Sequence, residues 1–266
     1  MGTLEILGYV AASLIGISLG LIGGGGSILT VPVLVYLIGL DAVSSTAYSL
    51  FIVGASSLVG TFTYFKKGLV NVKTAVIFGI PSIVAVYTTR KYVVPAIPDE
   101  LFTVGDFIFT KNIAIMVLFA ILMIAASVSM IRGRKEVEDE KPHEQVFNYP
   151  VIILEGIVVG TLTGLVGAGG GFLIIPALVV LSKLPMKQAV GTSLLIIASK
   201  SLIGFTGDMS NMEVDWGFLL IFTAISIAGI FIGSALSNKI SGAKLKPAFG
   251  WFVLVMGVYI LGKSLL

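Results

Sequence analysis

The 266-residue chain contains no cysteine, which excludes disulfides, thiolate catalysis and cysteine metal sites and leaves its redox compartment unmarked. Its one histidine, His143, sits in a charged stretch, so the nitrogen and sulfur ligands that metal sites ordinarily use are missing. With neither a nucleophile–base pair nor a metal constellation, catalysis is not expected. No cofactor is expected either. Charge is scarce: 12% of residues are Asp, Glu, Lys or Arg, against about a quarter in soluble domains. The net charge is only +3, and nucleic acid is not an expected partner. The first apolar run is preceded by Glu5 and no basic residue, so a cleaved signal peptide is not expected.

What the chain has in abundance is apolar sequence. Hydrophobic residues make up 56% of it, arranged in separate stretches of about 20 residues, each able to cross a hydrocarbon core of about 30 Å. No soluble core of this size could bury them all, so the bilayer is the expected surroundings. The sequence also repeats itself. Gly20-Leu-Ile-Gly23-Gly-Gly-Gly26-Ser27 with Pro32 returns as Gly164-Leu-Val-Gly167-Ala-Gly-Gly-Gly171 with Pro176, at an offset of 144 residues. Without a gap, Ser49-Leu50 meets Ser193-Leu194, Ser57-Leu58 meets Ser201-Leu202, Gly60 meets Gly204 and Val70 meets Val214. Residues 20–72 carry 18 identities in 53 aligned positions. Several are Gly, Pro or Ser, which hydrophobic composition alone would not align, and such duplication is the trace of a secondary transporter.

Each copy divides into five apolar segments: 4–22, 27–39, 43–65, 72–94 and 108–131, then 150–167, 171–182, 187–207, 215–238 and 245–264. The second segment of each copy is too short to cross at a 1.5 Å rise per residue, so segments one and two form a hairpin tipped by the glycines. The predicted fold is an all-α polytopic membrane protein of two inverted repeats, 1–131 and 150–266. Each repeat is a glycine-tipped helical hairpin plus three transmembrane helices, and 132–149 is a cytoplasmic linker. The orientation follows from basic residues, which mark cytoplasmic loops. Arg132, Arg134 and Lys135 begin the linker; Lys66, Lys67 and Lys73 mark one further loop, and Lys239, Lys244 and Lys246 another. The loop with Asp208, Glu213 and Asp215 has no Lys or Arg and reads as external. The loops after segment three, basic in one copy and acidic in the other, therefore face opposite ways. Lys183 and Lys187 against Asp41 repeat the inversion. Both termini are then external, in a multi-pass protein of the cytoplasmic membrane.

Glycine backbone that is not helical survives at membrane depth only inside protein or beside a wet cavity. Gly23, Gly24, Gly25 and Gly26, and Gly167, Ala168, Gly169, Gly170 and Gly171, fit that condition. Their amides can approach a ligand, each short following helix begins there with its positive dipole end, and Ser27 adds a hydroxyl. Inverted copies bring the two tips together near the midplane around one anion. The alternative is that glycine serves packing, and Gly16–Gly20, Gly160–Gly164 and Gly229–Gly233 have the GxxxG spacing that lets helices touch. The third segments carry Tyr48, Ser49, Ser56 and Ser57 in one copy and Thr192, Ser193, Lys200 and Ser201 in the other. These either line an anion path or make ordinary interhelical hydrogen bonds. Lys200 stands out, because a cation inside a span marks function unless it snorkels to the interface. Glu155 lies nearer a segment end, where an interfacial role is expected, with a proton relay as the alternative.

The paired Gly-Leu-Ile-Gly-Gly-Gly-Gly-Ser…Pro32 and Gly-Leu-Val-Gly-Ala-Gly-Gly-Gly…Pro176 motifs, followed by Gly191-Thr192-Ser193-Leu194 and Val214-Asp215-Trp216, resemble the TauE/SafE family of sulfite and organosulfonate exporters. The resemblance covers nearly the whole chain. It implies export of sulfite, sulfoacetate or a related small sulfur oxyanion, with substrate and lipid bilayer as partners. Ala47-Tyr48-Ser49 in the first copy departs from Gly191-Thr192-Ser193 in the second, so the half-sites need not touch substrate equally. An anion channel of the same topology is the alternative.

Overall fold

The computed structural model describes residues 3–105, 107–132, 149–180, 184–237 and 242–265. The linker residues Arg134, Lys135, Lys141 and His143, the loop residues Lys183 and Lys239, and the side chains of Lys244 and Lys246 lie outside the described residues. The chain begins with α1 (Thr3–Ile22), which runs into a 3-10 helix, Gly23–Leu29, then α2 (Thr30–Val33) and a π turn, Leu34–Ile38. Gly39, at φ 84°, ends this hairpin. Next come α3 (Ala42–Lys66) and α4 (Val72–Thr88), the latter continued by a π turn, Thr89–Val93, into α5 (Val94–Ala96). A β-hairpin that the hydropathy pattern does not announce follows, with β1 (Glu100–Val104) antiparallel to β2 (Phe107–Thr110), before α6 (Lys111–Arg132). The second half supplies α7 (Tyr149–Val166), α8 (Gly171–Val180), α9 (Met186–Asp208), α10 (Trp216–Ser237) and α11 (Gly242–Leu265). Among the described residues, seven helices are long and apolar enough to cross a bilayer, beside the shorter apolar helices Leu7–Leu21 and Gly26–Ile38. The protein is a polytopic all-α membrane protein.

Helix starts are fixed by local chemistry. Asp41 accepts from the Ser44 amide at 3.0 Å to cap α3, and Asn71 accepts from the Thr74 amide at 3.0 Å to cap α4. Asp215 does the same for α10 through Phe218. Each satisfies one of the four amides that a helix start leaves without an internal partner.

The two halves interlock. Helix α1 packs along α10, α4 along α7, α3 along α9, and α6 along α11. The contacts exchange residue by residue under the 144-residue offset. A side chain on Gly16 would strike the Ser226 carbonyl, and one on Gly160 would strike the Ser82 carbonyl. Gly20 faces the Ile230 carbonyl, as Gly164 faces that of Val86. The GxxxG pairs thus do bring backbones together, Gly16 and Gly20 meeting Gly229 and Gly233 directly, which is how apolar helices gain contact where no hydrophobic drive distinguishes protein from lipid. The buried clusters exchange in the same way. Ile15, Leu34, Ile52 and Phe222 form one, and their counterparts Val159, Leu178, Ile196 and Phe78 form another.

Candidate functional site

The two glycine tips meet, but they are built differently. Gly23, Gly24, Gly25 and Gly26 lie in a 3-10 helix, not in the non-helical backbone expected from their sequence, and the chain folds back on α1 within it. Gly26 packs back against Leu19 and Ser18 of α1. The second tip is a true turn. Gly167, Gly169 and Gly170 adopt φ of 70°, 65° and 68°, values at which any other residue carries strain. With Ala168 between them and Gly171 opening α8, the whole tip is buried.

Side chains of the first half hold the second tip by its carbonyls. Ser27 donates its hydroxyl to the Ala168 carbonyl, and Ser49 donates to that of Gly167 at 2.7 Å. Gly170 gives its carbonyl to the amides of Leu173 and Ile174, both at 3.0 Å. With the carbonyls of Gly167, Ala168 and Gly170 occupied, the tip presents amides: among the described residues no hydrogen bond engages the N–H of Gly169 or Gly170, and Gly171 adds the unpaired start of α8.

Lys200 completes this end. It is fully buried, at 0% exposure, on α9, and does not snorkel. Its ammonium donates to the Thr163 hydroxyl at 2.9 Å, and among the described residues no carboxylate lies within ion-pair distance of it. Gly170 is packed so closely that a β-carbon there would lie 2.8 Å from the Lys200 Nζ and would collide with the Thr163 hydroxyl. The buried hydroxyls of Ser56, Ser57 and Ser201 have no partner among the described residues. Ser56 is the counterpart of Lys200, and Ser57 of Ser201.

Not every nominated side chain joins this cluster. The Tyr48 hydroxyl accepts from the Asp215 amide at 2.7 Å, and the Thr192 hydroxyl accepts from the Asn71 amide at 2.9 Å. These are counterparts again, and both bonds secure the loop that leads into a long helix. Among the described residues Ser193 bonds only within its own helix, donating to the Val190 carbonyl at 2.8 Å. Glu155 is half-buried on α7.

One constellation escaped sequence reading. Arg90, in the π turn after α4, is completely buried, and its Nε reaches both oxygens of Asp208 at 2.8 and 2.7 Å. Its Nη1 donates to the Thr46 hydroxyl at 2.9 Å and the Gly164 carbonyl at 3.2 Å, and its Nη2 to the Val43 carbonyl at 3.3 Å. Asp208 is therefore not part of an open acidic loop: it is the last residue of α9 and is buried. The sequence carries little signal for it: Arg90 lies near the end of apolar segment 72–94 and Asp208 just past 187–207, where charge is ordinary.

Residues 9–260 match the family model described as Sulfite exporter TauE/SafE. The chain belongs to the TauE/SafE family. This is a family of membrane transporters, and the similar curated proteins carry matching descriptions. The chain is 29% identical over 261 residues to a probable membrane transporter protein of Xylella fastidiosa (strain 9a5c), covering 96% of this chain and 94% of the relative. It is 29% identical over 288 residues to the probable membrane transporter protein YunE of Bacillus subtilis (strain 168), covering 98% of this chain and 97% of the relative. A shorter match, 33% identical over 117 residues, joins it to the probable membrane transporter protein MJ0441 of Methanocaldococcus jannaschii, covering 42% of this chain and 44% of that protein. No solved structure matches the chain.

Proposed function

We propose that this TauE/SafE protein is a secondary transporter of a small sulfur oxyanion, sulfite or an organosulfonate, exported across the cytoplasmic membrane. The anion binds between the glycine tips, on the amides of Gly169, Gly170 and Gly171 and the ammonium of Lys200, with Ser27, Ser49 and the first tip closing the other side. The observation that carries this is Lys200, a buried cation with one neutral hydrogen-bond partner among the described residues. Burying a charge inside a span costs about 2.5–3.5 kcal/mol even on the mildest scale, and one hydroxyl does not offset that. An anion would. The adjoining helix start contributes only about half a positive charge, so the ammonium dominates the attraction.

Residues 1–131 and 150–266 act as inverted repeats joined by a cytoplasmic linker, and movement of one against the other gives alternating access. The exchange of contacts between α1–α10 and α7–α4 supports this, since a site at a repeat interface serves both faces when the repeats trade conformations. The test is purified protein in liposomes loaded with sulfite. A carrier gives saturating uptake and counterflow of labelled sulfite. Linear flux without counterflow would identify an anion channel, and no sulfite or sulfonate binding in a screen that includes sulfate and acetate would overturn the substrate assignment.

A further inference from the structure

Helix α7 must stop at Val166 for the chain to turn through Gly167, Gly169 and Gly170, and stopping leaves its last carbonyls without the amides of a further turn. The Thr163 carbonyl still accepts from the Gly167 amide at 2.8 Å. The next one, that of Gly164, accepts from Arg90 Nη1 at 3.2 Å. A cation is the donor that suits this place, since a helix ends in partial negative charge. The same guanidinium reaches Thr46 and Val43 of α3 and both oxygens of Asp208 at the end of α9. One planar group therefore ties three elements together where the second tip begins. Its backbone is seated as closely as its side chain. A β-carbon on Gly207 of α9 would lie 3.2 Å from that of Arg90, and one on Gly164 would lie 2.7 Å from that of Thr89, so the π turn is gripped between α7 and α9. Gly167 in turn packs on the Thr46 backbone.

We propose that Arg90 is the positioning residue of the second tip, with Asp208 holding its fork in place and cancelling its charge. The proposal rests on the reading above that the tip binds the anion. Thr163 and Gly164 are neighbours in the last turn of α7: Thr163 holds the Lys200 ammonium at 2.9 Å, and Gly164 is held by Arg90. Lys200 and Asp208 are eight residues apart on α9. By fixing the end of α7 against α9, Arg90 fixes where the tip amides stand relative to the ammonium. With Asp208 at 2.7 Å, Arg90 has no charge to spare, and among the described residues Lys200 is left as the buried cation without a carboxylate. The first tip has no such brace: among the described residues the other ion pair, Lys111 with Asp99, lies beside the β-hairpin. That tip winds as 3-10 helix.

The test compares Arg90→Lys, Arg90→Gln and Thr46→Val with the unaltered protein. Two quantities are read: the Kd for sulfite, and hydrogen exchange of the peptide covering residues 160–175, with the peptide covering 18–30 as internal reference. Lysine keeps the charge and loses the fork, so attraction by charge alone would leave Arg90→Lys at full affinity. Both Arg90 variants are instead expected to weaken sulfite binding about tenfold or more, through loss of a charge-assisted hydrogen bond from a displaced tip amide. Both should also speed exchange at 160–175 and leave 18–30 unchanged, as a local opening does. Thr46→Val removes one neutral arm and keeps the ion pair, so it should act in the same direction with about threefold in Kd. Full sulfite affinity in Arg90→Lys overturns the proposal. So does exchange that rises equally along α4, α9 and both tips with Kd unchanged, which would make the pair a clamp on stability. If the Arg90 variants do not fold, Thr46→Val decides: an unchanged Kd with unchanged exchange at 160–175 overturns the proposal. The tip-site reading is scored apart. Sulfite that fails to bind the unaltered protein removes that reading, while faster exchange confined to 160–175 still identifies Arg90 as the brace of the tip.

Discussion

The Lys200 ammonium lies 2.9 Å from the Thr163 hydroxyl, and Thr163 is its one protein hydrogen-bond partner among the described residues. Lys200→Met keeps the volume and removes the charge. Thermal melting in detergent should stay level or rise, because the variant no longer buries an unpaired cation. Sulfite affinity should fall about tenfold or more, since a charge-assisted hydrogen bond is worth about 1.5–3 kcal/mol. Lys200→Gln should weaken binding of dianionic sulfite more than that of a monoanionic sulfonate, and equal losses would assign Lys200 a structural role.

Gly170 and Gly39 separate backbone strain from site geometry. Both have positive φ, at 68° and 84°, so alanine at either carries the left-handed cost of about 1–2 kcal/mol. Only at Gly170 does the added carbon meet Lys200 and Thr163; at Gly39 nothing lies within 4 Å. Gly170→Ala is expected to abolish anion binding, and Gly39→Ala to lower the melting temperature slightly with transport kept. Normal transport by a folded Gly170→Ala protein would remove the second tip from the site.

Tyr48→Phe and Thr192→Val delete counterpart hydrogen bonds to the Asp215 and Asn71 amides. Each should cost about 1 kcal/mol of stability, seen as similar drops in melting temperature, with little change in sulfite affinity. A selective loss of affinity would instead return these hydroxyls to the anion path that their sequence suggests.

Single cysteines at Gly2, Lys141 and Ser264 test the orientation. The two terminal positions should label from outside intact cells, and Lys141→Cys only after permeabilisation. External labelling of Lys141→Cys alone would sink the inverted arrangement.

The helices were legible because hydropathy and the repeated glycines and prolines are strong, local signals; α3 and α9 begin and end within a residue or so of their apolar segments. The tips were legible in place and not in form. Gly-Gly-Gly-Gly and Gly-Ala-Gly-Gly-Gly look alike as sequence, and whether such a run winds as a 3-10 helix or breaks into a turn is decided by what packs on it, here Ser27 and Ser49 on the second tip. Lys200 stood out as a lone charge within an apolar run. Arg90 and Asp208 did not, because each lies at the end of its helix, where charge is ordinary, and only the fold brings them together. The roles of Tyr48 and Thr192 were hidden for a related reason: a hydroxyl at mid-sequence can face a cavity or cap a distant loop, and composition does not distinguish the two.

The pairing of α1 with α10 and of α4 with α7 bears on how the protein is made. The glycine face of each half's first helix packs against the other half, so that of α1 waits in the membrane until nearly the last span has been synthesised. Helix α4 finds its partner sooner, when α7 inserts. Either half expressed alone should therefore insert without reaching its mature packing, and the two expressed together as separate chains should find each other, because most of what holds each one closed is carried by the other.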